Sequence, residues 1–579
     1  MILQKHSSKE TKHEIKFTKR VIHNLIIFLL VSSFAEAQVT TAWTAHYQSP
    51  WMFRDYGREI KTDAQGNVYV GGHSLIDASQ HAVVTIVKYD GNGSMLWEYH
   101  SPAIYYNIED MEVDAATGIV YYGGSIWIDS TAEWNYLTVK IDSSGQDVWT
   151  QFYDGNGIGA GWDYGLGIAI DQPGNVYITG YSQGTFNGYD WVTVKYNSAG
   201  MQQWVARWAN PDNASQVFNY FNEAYQVSAD NSGNVYVSGY GFNGTSHELT
   251  LLKYDASGNF LWQRDIDTHA QWDALTKDYM KMDAAENIYL AGNIHNPSTG
   301  SDILIVKYDP QGNLLWTSSW NSPTNDSDYV SGGDYVDQGL MLDANANLFI
   351  SGTSQDPGIL FTENIVTLKF DSAGNFLWEN IFNGTGDDQD IAYSIGVDNA
   401  GNAYVCGSTN TLAALNSEDY ITFKINGTTG ATVWSRLYNA TVDWIDAPHA
   451  IYVDNLLNVY VTGISMTNTD WMDPRTEIVT IKYAQTFTGF DEISNENSFA
   501  AFPNPFSTTL NIKLNNPDAL GAEARIIITD VAGKTVQEAA IHKSEGIISL
   551  GRELSTGIYI AQLRSGDSLV KSFKVIKID

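Results

Sequence analysis

Three features of the sequence together predict an all-β fold. A phrase that typically reads Asp-x-x-Gly-Asn opens at Asp63, Asp114, Asp171, Asp230, Asp283, Asp343, Asp398 and Asp454, at spacings of 51 to 60 residues. Around each phrase lie four short alternating strands, with no helical periodicity anywhere. A Trp marks the fourth strand of seven copies, at Trp97, Trp149, Trp204, Trp262, Trp316, Trp378 and Trp434, while the eighth, Trp43, stands at the other end of the chain. Repeats of this length and content predict an eight-bladed β-propeller with four antiparallel strands per blade. The displaced Trp predicts closure by the N-terminal strand, with residues 40–48 paired to "IVTIKY" near Lys482. The competing fold, an open stack of sheets, would need a cap at each end and gives Trp43 no role. A small Ig-like β-sandwich is expected to follow.

Residues 1–37 come first and lie outside that fold. Lys5, Lys9, Lys12, Lys16, Lys19 and Arg20 precede the apolar run Leu25 to Phe34, and Ala35-Glu36-Ala37 fits a small-x-small cleavage site. The run is short for a membrane span, so the segment reads as a secretory signal peptide. The propeller is expected over residues 38–486. Within each repeat, a strand such as "REIKTD" leads into a tight turn, where Asp can bond backbone amides and Gly or Asn tolerates positive φ. The next strand carries an aromatic (Tyr69, Tyr121, Tyr177, Tyr236, Tyr289, Phe349, Tyr404, Tyr460). A variable loop, a strand ending Lys-Tyr or Lys-Phe, a second tight turn and the Trp strand complete the unit. Residues 487–497 are polar and read as a linker. Residues 498–579 alternate apolar and polar positions between turn residues, enough for a small sandwich. Pro503 and Pro505 suit an edge.

The phrases "DNAGNAYVCG" at Asp398 and "LKFDSAGNFLW" ending at Trp378 resemble the SBBP family of bacterial β-propeller repeats, and the match recurs across the whole propeller. That family is usually described as seven-bladed, so eight copies depart from it, as does "DAATGIVYYGG" in the second. The resemblance implies a fold and no single activity. Pro503-Asn504-Pro505-Phe506, Asp530-Val531-Ala532-Gly533-Lys534, Gly557-Ile558-Tyr559-Ile560 and a closing basic strand with Lys571, Lys574 and Lys577 resemble the type A sorting domain of the type IX secretion system. That resemblance implies contact with the secretion machinery and passage across the outer membrane of a Bacteroidetes-type bacterium. It further implies removal of the domain and a protein left on the cell surface or released.

Of 32 basic and 66 acidic side chains, six and three lie in residues 1–37, which leaves 26 against 63. So acidic a chain is unsuited to nucleic acid or anionic membrane surfaces. The single cysteine, Cys406, excludes an intrachain disulfide; aromatic residues, 13% of the chain, can supply the core instead. No second apolar run could span a membrane, and a monomer is expected.

Function is expected on the long-loop face. Ten Trp outside the fourth-strand motif fall in or beside those loops: Trp51, Trp127, Trp134, Trp162, Trp191, Trp208, Trp272, Trp320, Trp444 and Trp471, joined by Tyr105, Tyr106, Tyr164, Tyr189 and Tyr220. Flat rings beside amides and carboxylates suit sugars, though the same rings could pack loops together. Eight residues before the opening Asp, four repeats carry Asp55, Asp163, Asp390 and Asp446, where the others place Tyr106, Asn222, Leu275 and Tyr335. Four carboxylates at a channel mouth could hold a hard cation such as Ca²⁺; the alternative is a turn in which each bonds local amides. No nucleophile elbow, His-Glu-x-x-His or phosphate loop occurs. A binding protein for glycan or another surface polymer, a polysaccharide-cleaving hydrolase or lyase, and a structural surface adhesin therefore all remain open.

Overall fold

The structure, a computed structural model, describes residues 38–77, 79, 81–102, 105–128, 133–155, 161–184, 188–209, 222–242, 247–270, 279–323, 327–330, 338–355, 362–384, 389–410, 418–440, 442, 444–470, 473–486, 499–502, 506–514, 524–530, 534–541, 547–565 and 568–577. The expected signal peptide and linker lie outside them. The chain divides into two compact units, Thr41–Ala484 and one that holds Gln485–Asp579.

In the first unit repeats 3, 4, 5 and 7 each build one separate antiparallel four-stranded sheet in sequence order. Repeat 3 is representative: Asp163–Ile170, Val176–Gln183, Tyr189–Tyr196 and Gln202–Trp208 lie side by side. The sheets of repeats 1 and 2 are joined through one residue pair, Ala82 with Tyr105. In repeat 6 the first strand is broken into Asp328–Val330 and Leu340–Leu342. The last repeat supplies three strands of its own, and its fourth is the N-terminal strand Gln38–Tyr47, which lies beside Thr476–Thr486. First strands of every repeat line two adjoining cavities of about 270 and 310 Å³, which share Lys61, Lys281, Met282 and Gln338.

The recurring phrase is a set of bonds. In repeat 1 the Asp63 carboxylate accepts the Gln65 and Asn67 amides, the Asn67 side chain and the Tyr69 hydroxyl. Lys88 lies 3.8 Å from that carboxylate and over the Tyr69 ring. From there Lys88 and the Trp97 indole both donate to Ser143 O in the next repeat's tight turn. The same double grip falls on Ser198, Ala256, Ser372 and Gly427 in later repeats. Each turn needs a residue at positive φ, and at Gly145, φ 87°, a Cβ would stand 3.0 Å from the Trp97 ring. The motif is therefore a clip between neighbours, and it explains the displaced Trp. Trp43 and Lys482, from opposite ends of the propeller sequence, both donate to Gly91 O in repeat 1. His449 Nδ1 reaches Gly57 O at 2.7 Å across the same seam.

The second unit holds two antiparallel sheets. One joins Phe499–Phe502, Leu510–Leu514 and Ile547–Leu550; the other orders Thr535–Ala540, Ala524–Asp530, Gly557–Ser565 and Ser568–Lys577. Leu510, Ile512 and Leu550 from the first share one apolar cluster with Ile526, Leu563 and Val575 from the second.

Candidate functional site

The four aspartates expected at the channel mouth turn into their own sheets instead. Asp55, Asp163, Asp390 and Asp446 are all buried. Each accepts the amide N–H of a residue on the preceding connection: Ser49, Gly155, Gly384 and Ala440. Across the sheet stand Ser74, Ser182, Thr409 and Ser465. The arrangement is the local turn, with each carboxylate held in a different sheet. Among the described residues no group of three or more His, Cys, Asp or Glu could hold a metal ion. Repeat 6 has the same device in Asp328, which accepts Ser322 N–H. Counting back from Asp343 misplaces this position at Tyr335, because the broken first strand inserts residues. The dipeptide Asp328-Tyr329, matching Asp55-Tyr56 and Asp163-Tyr164, was the signal that could have found it. In repeat 4, Asn222 is buried. Leu275 and Tyr335 lie outside the described residues, and Tyr106 is described in backbone only. Burial raises the carboxyls of Asp55 and Asp163 above the usual range and pushes those of Asp328 and Asp446 up to about 6.

Among the described residues, the expected tryptophans do not form one platform. Trp191, 1% exposed, packs on Trp208 with ring centres 5.0 Å apart, and both belong to the core between repeats 3 and 4. Trp208 donates to Gln263, and the buried Trp320 donates to Glu379 of the next repeat. Trp51 meets His100 edge-on, and Trp444 is half-buried. Trp272, Trp471 and Tyr220 lie outside the described residues. Trp191, Trp208 and Trp320 pack because a neighbouring repeat closes over them, which single-repeat spacing does not reveal.

The remaining three, Trp127, Trp134 and Trp162, come together. Trp127 meets Trp134 edge-on at 5.5 Å across the second and third strands of repeat 2. Trp134 stacks on Tyr164 at 5.1 Å, Tyr164 on Tyr181 at 5.0 Å, and Tyr181 meets Tyr189 edge-on. Trp162 lies beside Tyr164 and is 46% exposed. Its backbone is fixed on both sides, by a bridge to Trp134 and by the Gln183 amide that donates to its carbonyl. The result is an aromatic shelf on the loop face that presents the exposed Trp162 ring beside Tyr164, which is itself stacked between Trp134 and Tyr181. Pre-set rings lower the ordering cost of binding.

Two acids flank the shelf. The first strand of repeat 3 is packed against that of repeat 2, which carries Glu109, and that of repeat 4, Glu223–Ala229. The half-buried Glu223 accepts the Tyr225 hydroxyl. Burial and then the Glu109 charge push its carboxyl up to about 7, against the Tyr225 bond that lowers it. Burial first, and then the charges of Glu223 and, less, Glu109, raise the Tyr181 hydroxyl above its ordinary range. Arg207, on the fourth strand of repeat 3, is bound to Asp190 at 2.8 Å, to Ser182 and to Gly155 O. Sequence reasoning missed Glu223 and Glu109, since nothing in "NEAYQV" marks a titrating group.

Comparison with known proteins fits this structure. Residues 157–187 and 384–412 match the SBBP beta-propeller repeat, and residues 500–578 match the secretion system C-terminal sorting domain. An uncharacterized WD repeat-containing protein of Acanthamoeba polyphaga mimivirus is 22% identical over 462 residues, which cover 58% of this chain. The match spans 32%, about a third, of that relative's length. Among solved structures, the WD40 domain of SCAP from fission yeast is 10% identical, with 78% of this chain and 99% of that one covered at a TM-score of 0.40. A Bacteroides caccae protein of unknown function is 12% identical, with 54% and 93% covered at 0.31. Residues 157–187 and 384–412 are SBBP-type β-propeller repeats, and residues 500–578 are a C-terminal sorting domain. That domain directs the chain to secretion, at the cell surface or beyond.

Proposed function

We propose that this exported propeller is a binding protein for a surface or extracellular polysaccharide, which it takes up on the aromatic shelf of repeats 2 to 4. One observation carries the reading: the 46% exposed Trp162 is mounted rigidly beside two stacked tyrosines, with carboxyl groups at the edge. Sugars present C–H faces that stack on such rings and hydroxyls that bond to carboxyls. The reading includes a signal peptide over residues 1–37, a closed eight-bladed ring and an Ig-like fold for the sorting domain. Closure is supported by the shared grip of Trp43 and Lys482 on Gly91 O. A glycan array probed with the exported protein and with Trp162→Ala tests the function. The expected result is a glycan signal that the substitution weakens; equal signals would remove the shelf from the account.

A second reading, cleavage of the bound polysaccharide, draws on Glu223. A carboxyl with a pKa of about 7 can serve as general acid, and Glu109 would be its partner. Release of reducing ends from the array's best ligand distinguishes cleavage from binding alone.

A further inference from the structure

The shelf has a chemical preference built into its edge. Three consecutive first strands converge there: that of repeat 2 brings Glu109, that of repeat 3 brings Tyr164, and that of repeat 4 brings Glu223 and Tyr225. The two carboxyls are close enough to act on each other and on Tyr181. The arginine of this sheet, Arg207, is bound to Asp190 and to backbone, so its charge is already matched. The exported sequence carries 63 acids against 26 bases once residues 1–37 are set aside, so the wider field has the same sign.

We propose that the shelf is a subsite for an uncharged polysaccharide, with the exposed Trp162 stacking on a pyranose face and Glu223 bonding to hydroxyls, and that Glu223 and Glu109 exclude polymers of uronate or sulfated sugars. This rests on the polysaccharide-binding reading above. Stacking is indifferent to charge on a remote carboxylate, so the rings alone would accept either class. Discrimination comes from the repulsion that an anionic sugar meets when it is brought against half-buried acids. A neutral sugar meets no such penalty and gains a hydroxyl bond to a carboxyl group in either protonation state.

The experiment measures binding of the exported protein to laminarin and glucomannan, which are uncharged, to alginate and a carrageenan, which are anionic, and to chitosan, which is cationic. The inference expects the uncharged polymers to bind at least about tenfold tighter than alginate at low salt. Glu223→Gln should narrow that ratio several-fold, chiefly by tightening alginate binding. Without any substitution, raising NaCl should narrow the same ratio, because salt screens the repulsion. Tighter binding of alginate or carrageenan, or a preference for chitosan, overturns the inference and leaves the glycan reading standing. A ratio that neither the substitution nor salt moves also overturns it. Binding of none of the five polymers counts against the glycan reading itself.

Discussion

At the scale of single residues, two tryptophans of the same sequence appearance have opposite roles. Trp162 is exposed and rigidly mounted, so Trp162→Ala should weaken polysaccharide binding about fivefold, the loss of roughly 1 kcal/mol of stacking, and leave the melting temperature unchanged. Trp191 is core, so Trp191→Ala should lower stability by about 3–5 kcal/mol in urea titrations. Glu223 makes a pH prediction. A ligand seated over it buries it further, which favours the neutral acid, so affinity should fall as pH rises from 6 to 8 through its pKa of about 7. The groups facing it, Tyr225, Glu109 and Tyr181, are acids or phenols that add no positive charge. Glu223→Gln should flatten the profile, and an unchanged slope in that variant would assign it to another group. The fold's motif residues were legible in the sequence because they bond to one another at short fixed offsets, as Asp63 does to Asn67 and Tyr69. Burial of Trp191 and titration of Glu223 were not, because both depend on neighbouring repeats.

Strands and turns explain the rest of the legible fold. The Trp strand missing from the last repeat located Gln38–Tyr47 beside Thr476–Thr486, because a clip between neighbours needs a Trp at every seam. Deleting residues 38–50 bares the edge of Thr476–Thr486 and removes Trp43 from its seat on repeat 1. The whole propeller should then melt at a lower temperature in one transition; unchanged melting would count against closure by this strand. The broken first strand of repeat 6 shows the limit of counting, since its insertion hid Asp328. The seam between the last and first repeats also holds buried His449, which burial and Arg58 hold down to about 4, and buried His73, held well below the usual range. Their folded pKa values lie below the unfolded value of 6.5, so the unfolded chain binds more protons between about pH 4 and 6.5. Stability should therefore fall as pH drops through that window, by on the order of 3 kcal/mol for His449. His449→Gln should remove part of the slope in urea titrations; a slope that stays unaltered would clear His449 of that role.

On the scale of the whole molecule, the two compact units divide the work. The repeats present the shelf, and the sorting domain at residues 500–578 sends the chain out of the cell. Truncation after Ser498 should leave a folded propeller retained inside the outer membrane, read by surface labelling against a periplasmic fraction; normal surface labelling of the truncated chain would remove the tail's role. The central claim is that a polysaccharide sits on one shelf of the loop face. Hydrogen–deuterium exchange of the exported protein with and without laminarin tests it most directly. The account predicts protection confined to backbone around 161–167, 179–183 and 222–226. Protection on the tight turns at the opposite face, or none at saturating laminarin, would contradict it.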